Sequence, residues 1–137
     1  MIVFVLDSSA VIRFIDHEAG AERVKAVIQM GSRGSAEVQI SALQWGEIAG
    51  VMRKRLGTLE QARVLQRLLD VDLQIVPASA ERAVRAAELR IDRKLPYADA
   101  FALDLAMDSP DHVLVTADYD FKAVADLVQI EFLPAKE

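Results

Sequence analysis

Four carboxylates offer most of the chemistry in this sequence. Asp7 directly follows an apolar run in "FVLDSSAVI", and Asp118 closes a second run in "VLVTADYDF". Glu47 lies within "SALQWGEIAGVMRKR" and Asp99 within "PYADAFALDLAMD". Acids packed together repel and raise one another's pKa, and a divalent cation relieves that repulsion. Oxygen donors in a chain with no cysteine point to Mg²⁺ or Mn²⁺. Mg²⁺ held by few carboxylates keeps positions for water and phosphate. That equipment suits phosphodiester hydrolysis: activating water, holding the scissile phosphate and stabilising the leaving oxygen.

Each acid also has an ordinary structural use. Asp7 suits a helix N-cap, although Ser8 and Ser9 could cap without it. Glu47 shares a helical face with Leu43, Gly50 and Val51, an apolar stripe in which an unpaired charge is costly unless it reaches the rim. Asp99 falls near the centre of an arc formed by Leu103, Ala106, Ala102 and Met107. A helix N-terminus would stabilise it without explaining its inward direction. Asp104 and Asp108 fall together on another side and read as a solvated face. Asp118 alone is a turn aspartate. His17 and His112 lie away from the acidic end, which argues against a two-histidine, metal-free ribonuclease. No GxSxG, P-loop or GxGxxG motif is present.

The elements that must bring these acids together alternate between strand and helix. "IVFVL" (Ile2–Leu6) is a continuous apolar run, as expected of a strand buried on both faces. Helices follow from about Ser9 to Asp16 and from about Ala19 to Met30, then a strand over Glu37–Ser41. Ser41 caps a helix from Ala42 to Arg55 that ends at Gly57. Thr58 with Gln61 resembles a capping box and opens a helix to about Leu69. A strand over Leu73–Pro77 precedes a Ser79-capped helix to about Lys94. Pro96 at the first helical position opens another to about Met107. Strands over His112–Thr116 and Gln129–Leu133 flank a short helix, and Phe121 pins the turn between them to the core. This pattern reads as a three-layer α/β/α sandwich with a mainly parallel five-stranded sheet. In such sheets ligands sit outside the carboxyl ends of the strands, where Asp7 and Asp118 fall.

With 137 residues and 53% hydrophobic content, residues 1–137 read as one domain able to bury a full core. "MIVFVLD" has no basic segment or signal-length apolar run, and no stretch reaches membrane-spanning length. A cytoplasmic location without membrane association is expected. A net charge of −5 disfavours general nucleic-acid affinity, so any such role must rest on local basic patches or bound metal. Arg53, Lys54 and Arg55 close the Glu47 helix, and Arg90, Arg93 and Lys94 cluster before the Asp99 helix. These cations could instead complement helix C-termini. Aromatic content of 6% does not advertise base stacking.

Taken in order, "VLDSSAVI", "SALQWGEI", "LPYADAFALDLA" and "LVTADYDF" resemble the motifs of PIN-domain nucleases, and more narrowly the VapC toxins of type II toxin–antitoxin pairs. The resemblance spans nearly the whole chain and implies the same α/β/α sandwich. It implies that Asp7 and Asp99 are the principal metal ligands, completed by Glu47 and Asp118 directly or through water. Ser9 and Thr116 match positions whose hydroxyls orient the carboxylates, and Asp120 matches a further acid found in many members. Arg53, Lys54, Arg55, Arg93 and Lys94 become candidate RNA contacts. The implied activity is Mg²⁺-dependent endoribonuclease cleavage of tRNA- or rRNA-class substrates. The implied partners are a VapB-like antitoxin and a second copy in a homodimer.

A PIN nuclease in RNA processing outside a toxin pair is the nearest alternative, and a catalytically silent protein-binding scaffold is another. A haloacid-dehalogenase-like phosphatase would need an Asp at position 9, which is Ser9. A response-regulator receiver would need an Asp after the third strand, where Pro77 stands.

Overall fold

Alternate residues along the inner strands feed two separate cores. In the computed structural model, which describes residues 1–136, Phe4 and Leu6 of β1 (Val3–Leu6) join one core and Val5 joins the other. Likewise Val115 of β4 (His112–Thr116) packs on one face and Leu114 on the opposite face. This period-two division is what a strand with helices on both sides requires.

The remaining strands are β2 (Glu37–Ser41), β3 (Gln74–Val76) and β5 (Gln129–Phe132). Together they form a five-stranded sheet of order β3-β2-β1-β4-β5, with every pairing parallel. On one face lie α1 (Ser8–Ile15) and α2 (Ala21–Ser32), joined by Ile48, Met52 and Leu68 of α3 (Ala42–Asp70). On the other lie α4 (Ala80–Arg93) and α5 (Tyr97–Ala106). The chain leaves β1 towards β2 on one side and reaches β4 on the other. The carboxyl ends of β1 and β4 therefore flank a topological switch point, where an open α/β sheet forms its crevice.

The α3 segment folds back on itself at Gly57, whose φ of 81° and ψ of −178° are outside the helical region. Glycine adopts this conformation without a Cβ clash. Gln61, expected to close a capping box with Thr58, instead donates its amide to the Ala49 carbonyl across the reversal. Pro96 precedes the first helical turn of α5 as its N-cap rather than standing inside it.

The largest departure from expectation is Asp104. It does not lie on a solvated face. It is 3% exposed and is held by Arg82 Nη1 at 3.1 Å and Arg85 Nε at 2.7 Å. Residues Ala100 through Ala106 of α5 are all buried. With the sheet on one side and α4 on the other, this part of the helix has no watery face for a wheel diagram to find. Asp108, two residues past α5, is reached by the same Arg82, at 3.0 and 2.5 Å. None of the described helices is long and apolar enough to cross a membrane.

Candidate metal centre

The first wall of the site is the turn leaving β1. Asp7 is both the N-cap of α1 and a member of the acidic group, so its two readings coexist. Its Oδ1 accepts from the Ala10 amide at 2.9 Å and from the Ser9 hydroxyl at 2.7 Å. Its Oδ2 accepts from the Thr116 hydroxyl at 2.5 Å. Three donors thus fix a side chain that is only 2% exposed. Burial lifts its pKa from 3.8 to about 6, against the pull of the Thr116, Ser9 and Ala10 hydrogen bonds, while the negative charge of Asp99 pushes it up further.

Thr116 therefore orients Asp7 rather than the Asp118 carboxylate. Its hydroxyl oxygen also accepts from the Asp118 amide at 2.9 Å, so it ties the ends of β4 and β1 together. Ser9 adds a second tie, accepting from the Ala117 amide at 2.9 Å. Asp118 itself caps the 3-10 turn over Tyr119–Val124 by accepting from the Asp120 amide. Asp120 is exposed, and the buried Phe121 anchors this turn in the core.

Asp99 enters from the first turn of α5 and is half-buried. Its pKa also rises from 3.8 to about 6. Burial is the main cause, a hydrogen bond from Gln44 opposes it, and the charges of Asp118, Glu47 and Asp120 add to the rise. The charges of these acids thus act on Asp99. Glu47 arrives differently from the sequence expectation. It does not interrupt the buried stripe of α3: it is exposed, as are Gly46 and Gly50, and it accepts a hydrogen bond from the Ser8 hydroxyl at 3.1 Å.

The buried stripe instead runs through Gln44, Ile48 and Met52, at i, i+4 and i+8. Gln44 is the residue that sequence reasoning missed. A polar side chain in register with two buried apolar ones was the available signal. It is 0% exposed, accepts from the Ser8 amide at 2.6 Å and donates to the Ala98 carbonyl at 2.8 Å and to Asp99 Oδ1 at 3.3 Å.

The donor set fits a hard cation held by a few carboxylates. Among the described residues, no three His, Asp or Glu side chains close around a single point. Among the described residues, neither Asp7 nor Asp99 has a lysine or arginine in ion-pair contact.

The basic residues divide into two groups. Arg55 is bound to Asp16 at 2.8 Å, and Arg93 grips Asp126 through two bonds of 3.0 and 3.1 Å. Arg53, Lys54 and Lys94 are exposed, and Lys94 ends α4 in the left-handed conformation at φ 58°. Arg90 lies over the Tyr97 ring, 5.9 Å from its centroid.

A family model described as the PIN domain matches residues 4–127. No curated protein sequence matches the chain. Among solved structures, the chain resembles VapBC2 from Rickettsia felis bound to a DNA fragment from their promoter. The two are 18% identical with a TM-score of 0.73, covering 97% of this chain and 100% of that one. A DNA-bound VapBC from Salmonella typhimurium is equally similar, at 18% identity and a TM-score of 0.73 over 96% and 98% of the two chains. The Mycobacterium tuberculosis VapC20, a Sarcin-Ricin loop cleaving toxin, gives 18% identity and a TM-score of 0.73 over 96% and 99%.

Proposed function

Because this chain belongs to the PIN domain family, we propose that it is a Mg²⁺-dependent endoribonuclease and acts as the toxin of a type II toxin–antitoxin pair. The observation that carries the reading is a buried Asp7 and a half-buried Asp99, linked through Gln44 and Ser8, with Glu47 on the same Ser8 and no lysine or arginine paired with either aspartate among the described residues. Burial lifts the pKa of both acids to about 6, which disfavours their charged forms, and a cation is the partner that would make both ionised forms favourable.

Asp7 and Asp99 would hold the ion, with Glu47 and Asp118 beside it. When bound, the cation supplies charge neutralisation and polarisation of a phosphoryl oxygen. The chain's own residues supply the rest. Ser9 and Thr116 fix the Asp7 carboxylate so that its orientation is set before substrate arrives. Exposed Glu47 stands at the rim, where a carboxylate can orient water or take up a proton released by it. Of the candidate cations, Arg53, Lys54 and Lys94 make no ion pair among the described residues and could meet an RNA backbone, whereas Arg55 and Arg93 are committed to acids.

Two fold relatives are VapBC structures bound to DNA, and a third is described as a toxin that cleaves the Sarcin-Ricin loop. They support a VapB-like antitoxin as partner and structured RNA as substrate. A homodimer accords with the same resemblance. A PIN nuclease serving RNA processing is separated by one observation: the presence of a short antitoxin reading frame beside this one.

The test is cleavage of structured RNA by the purified protein with Mg²⁺, beside Asp7→Ala and Asp99→Asn. Cleavage by the wild type that is lost in both variants and on chelation is expected. Equal cleavage by all three proteins would sink the mechanism.

A further inference from the structure

We propose that Gln44 is a positioning residue that sets the separation and direction of Asp7 and Asp99, and so the affinity of the site for its cation. The inference rests on the metal-site reading above and adds a residue to it.

The side-chain amide of Gln44 sits where three elements meet. It projects from the first turn of α3, immediately after β2. Its Oε1 accepts from the Ser8 amide at 2.6 Å, the residue that follows Asp7 and opens α1. Its Nε2 donates to the Ala98 carbonyl at 2.8 Å and to Asp99 Oδ1 at 3.3 Å, both in the first turn of α5. One planar group thus spans the backbone beside one principal acid and the carboxylate of the other. It is 0% exposed, so no water competes for these bonds. An unpaired amide at this depth would be costly, which favours the arrangement in which both ends are used.

The chemistry of an amide suits this place better than the alternatives. A lysine or arginine would also donate to Asp99, but it would neutralise the charge and compete with the cation. A glutamate would add another acid and lack the donors that Ala98 and Asp99 use. A methionine would fill the volume and leave the Ser8 amide without its acceptor. Glutamine alone among these gives an acceptor at one oxygen and two donors at one nitrogen while adding no charge. It also occupies Asp99 Oδ1, leaving the other carboxylate oxygen free of that bond. Groups that hold ligating carboxylates in this way tune metal affinity without touching the metal.

The experiment is titration of the metal-free protein with Mn²⁺, read by the electron paramagnetic resonance signal of the free ion, for wild type, Gln44→Met and Gln44→Leu. Circular dichroism establishes folding of each variant at the titration temperature. The wild type should bind Mn²⁺, and a folded variant should bind about 10- to 100-fold more weakly. A folded variant that binds within about twofold of the wild type would overturn the positioning role, since outer-partner losses are normally larger. Failure of both variants to fold would overturn it too, because Gln44 would then be holding the fold rather than the carboxylates. Absence of Mn²⁺ binding by the wild type would instead count against the metal site itself.

Discussion

One helix carries two aspartates with opposite fates. Asp104 of α5 is almost wholly buried, and two guanidinium groups from α4 surround it. Asp99, five positions earlier, is half-buried among Asp118, Glu47 and Asp120, with no cation in contact among the described residues. The first acid is compensated within the chain and bolts α4 to α5. The second is left uncompensated and joins Asp7 at the switch point of the sheet. The contrast separates a charge compensated within the fold from one that the proposed site would pair with a cation, although both lie on the same element.

The strongest way to break this contrast is to neutralise the uncompensated acids. Asp99→Asn and Asp7→Asn should each lower RNA cleavage by at least about 100-fold, more than loss of an outer partner costs. Asp99→Asn should not lower the melting temperature of the metal-free protein, because it removes a disfavoured charge, whereas Asp7→Asn also loses the acceptor of the Thr116 hydroxyl. An Asp99→Asn variant that lost stability in step with activity would place this acid with Asp104.

Asp104→Asn should do the reverse. Removing the charge of this almost fully buried acid takes away the ionic acceptor of Arg85 and one of the two acceptors of Arg82, which keeps Asp108, so the variant should be less stable than wild type. Denaturant unfolding should register that loss, discounted for the exposure of Arg85. Cleavage at a temperature where the variant stays folded should remain close to wild type. A severe catalytic loss in a folded Asp104→Asn would show that the bolt reaches into the site.

A smaller effect should appear in the pH dependence of the metal-free protein. The folded chain holds Asp7 and Asp99 at about 6, against 3.8 for an unperturbed carboxyl. Between these values the folded state binds more protons than the unfolded state. Stability should therefore fall as pH rises from about 4 to about 6, then level off. Saturating Mg²⁺ should remove this fall by stabilising the ionised pair. A metal-free stability that instead rose through that interval would contradict the uncompensated state of the two acids.

The smallest effect belongs to the basic residues. Replacing Arg53 or Lys54 by alanine should weaken RNA binding and flatten its dependence on log salt by about 0.7 per cation that meets a phosphate. Arg93→Ala should change the slope less, because Arg93 already pairs with Asp126. Equal slopes for all the variants would dissolve the distinction between free and committed cations.

How much of this was legible in the sequence follows from what each residue faces. The strands announced themselves as short apolar runs, and the caps at Ser41 and Ser79 marked helix starts that the structure keeps. The acidic positions after β1 and β4 were readable because parallel sheets put loops at one end. The wheel argument for α5 turned Asp99 inward, where it is half-buried, and failed for Asp104, since it presumes one wet face and this helix is enclosed. The pairing was still foreshadowed: Arg82 and Arg85 repeat at i, i+3 on α4, and Asp104 and Asp108 at i, i+4 at the end of α5. Complementary charges on two consecutive helices were a signal the sequence reading did not use, and the packing of α4 on α5 makes them a seam. Glu47 showed a different failure. Its stripe was assigned through Leu43 and Val51, whereas burial follows Gln44, Ile48 and Met52, and a single helix cannot reveal which of two adjacent faces meets the core.

The most direct measurement is calorimetric titration of Mg²⁺ into the metal-free wild type, Asp99→Asn and Asp104→Asn. The account predicts binding by the wild type and by folded Asp104→Asn, with binding abolished or severely weakened in Asp99→Asn. Equal binding by Asp99→Asn, or no binding by the wild type, would contradict it.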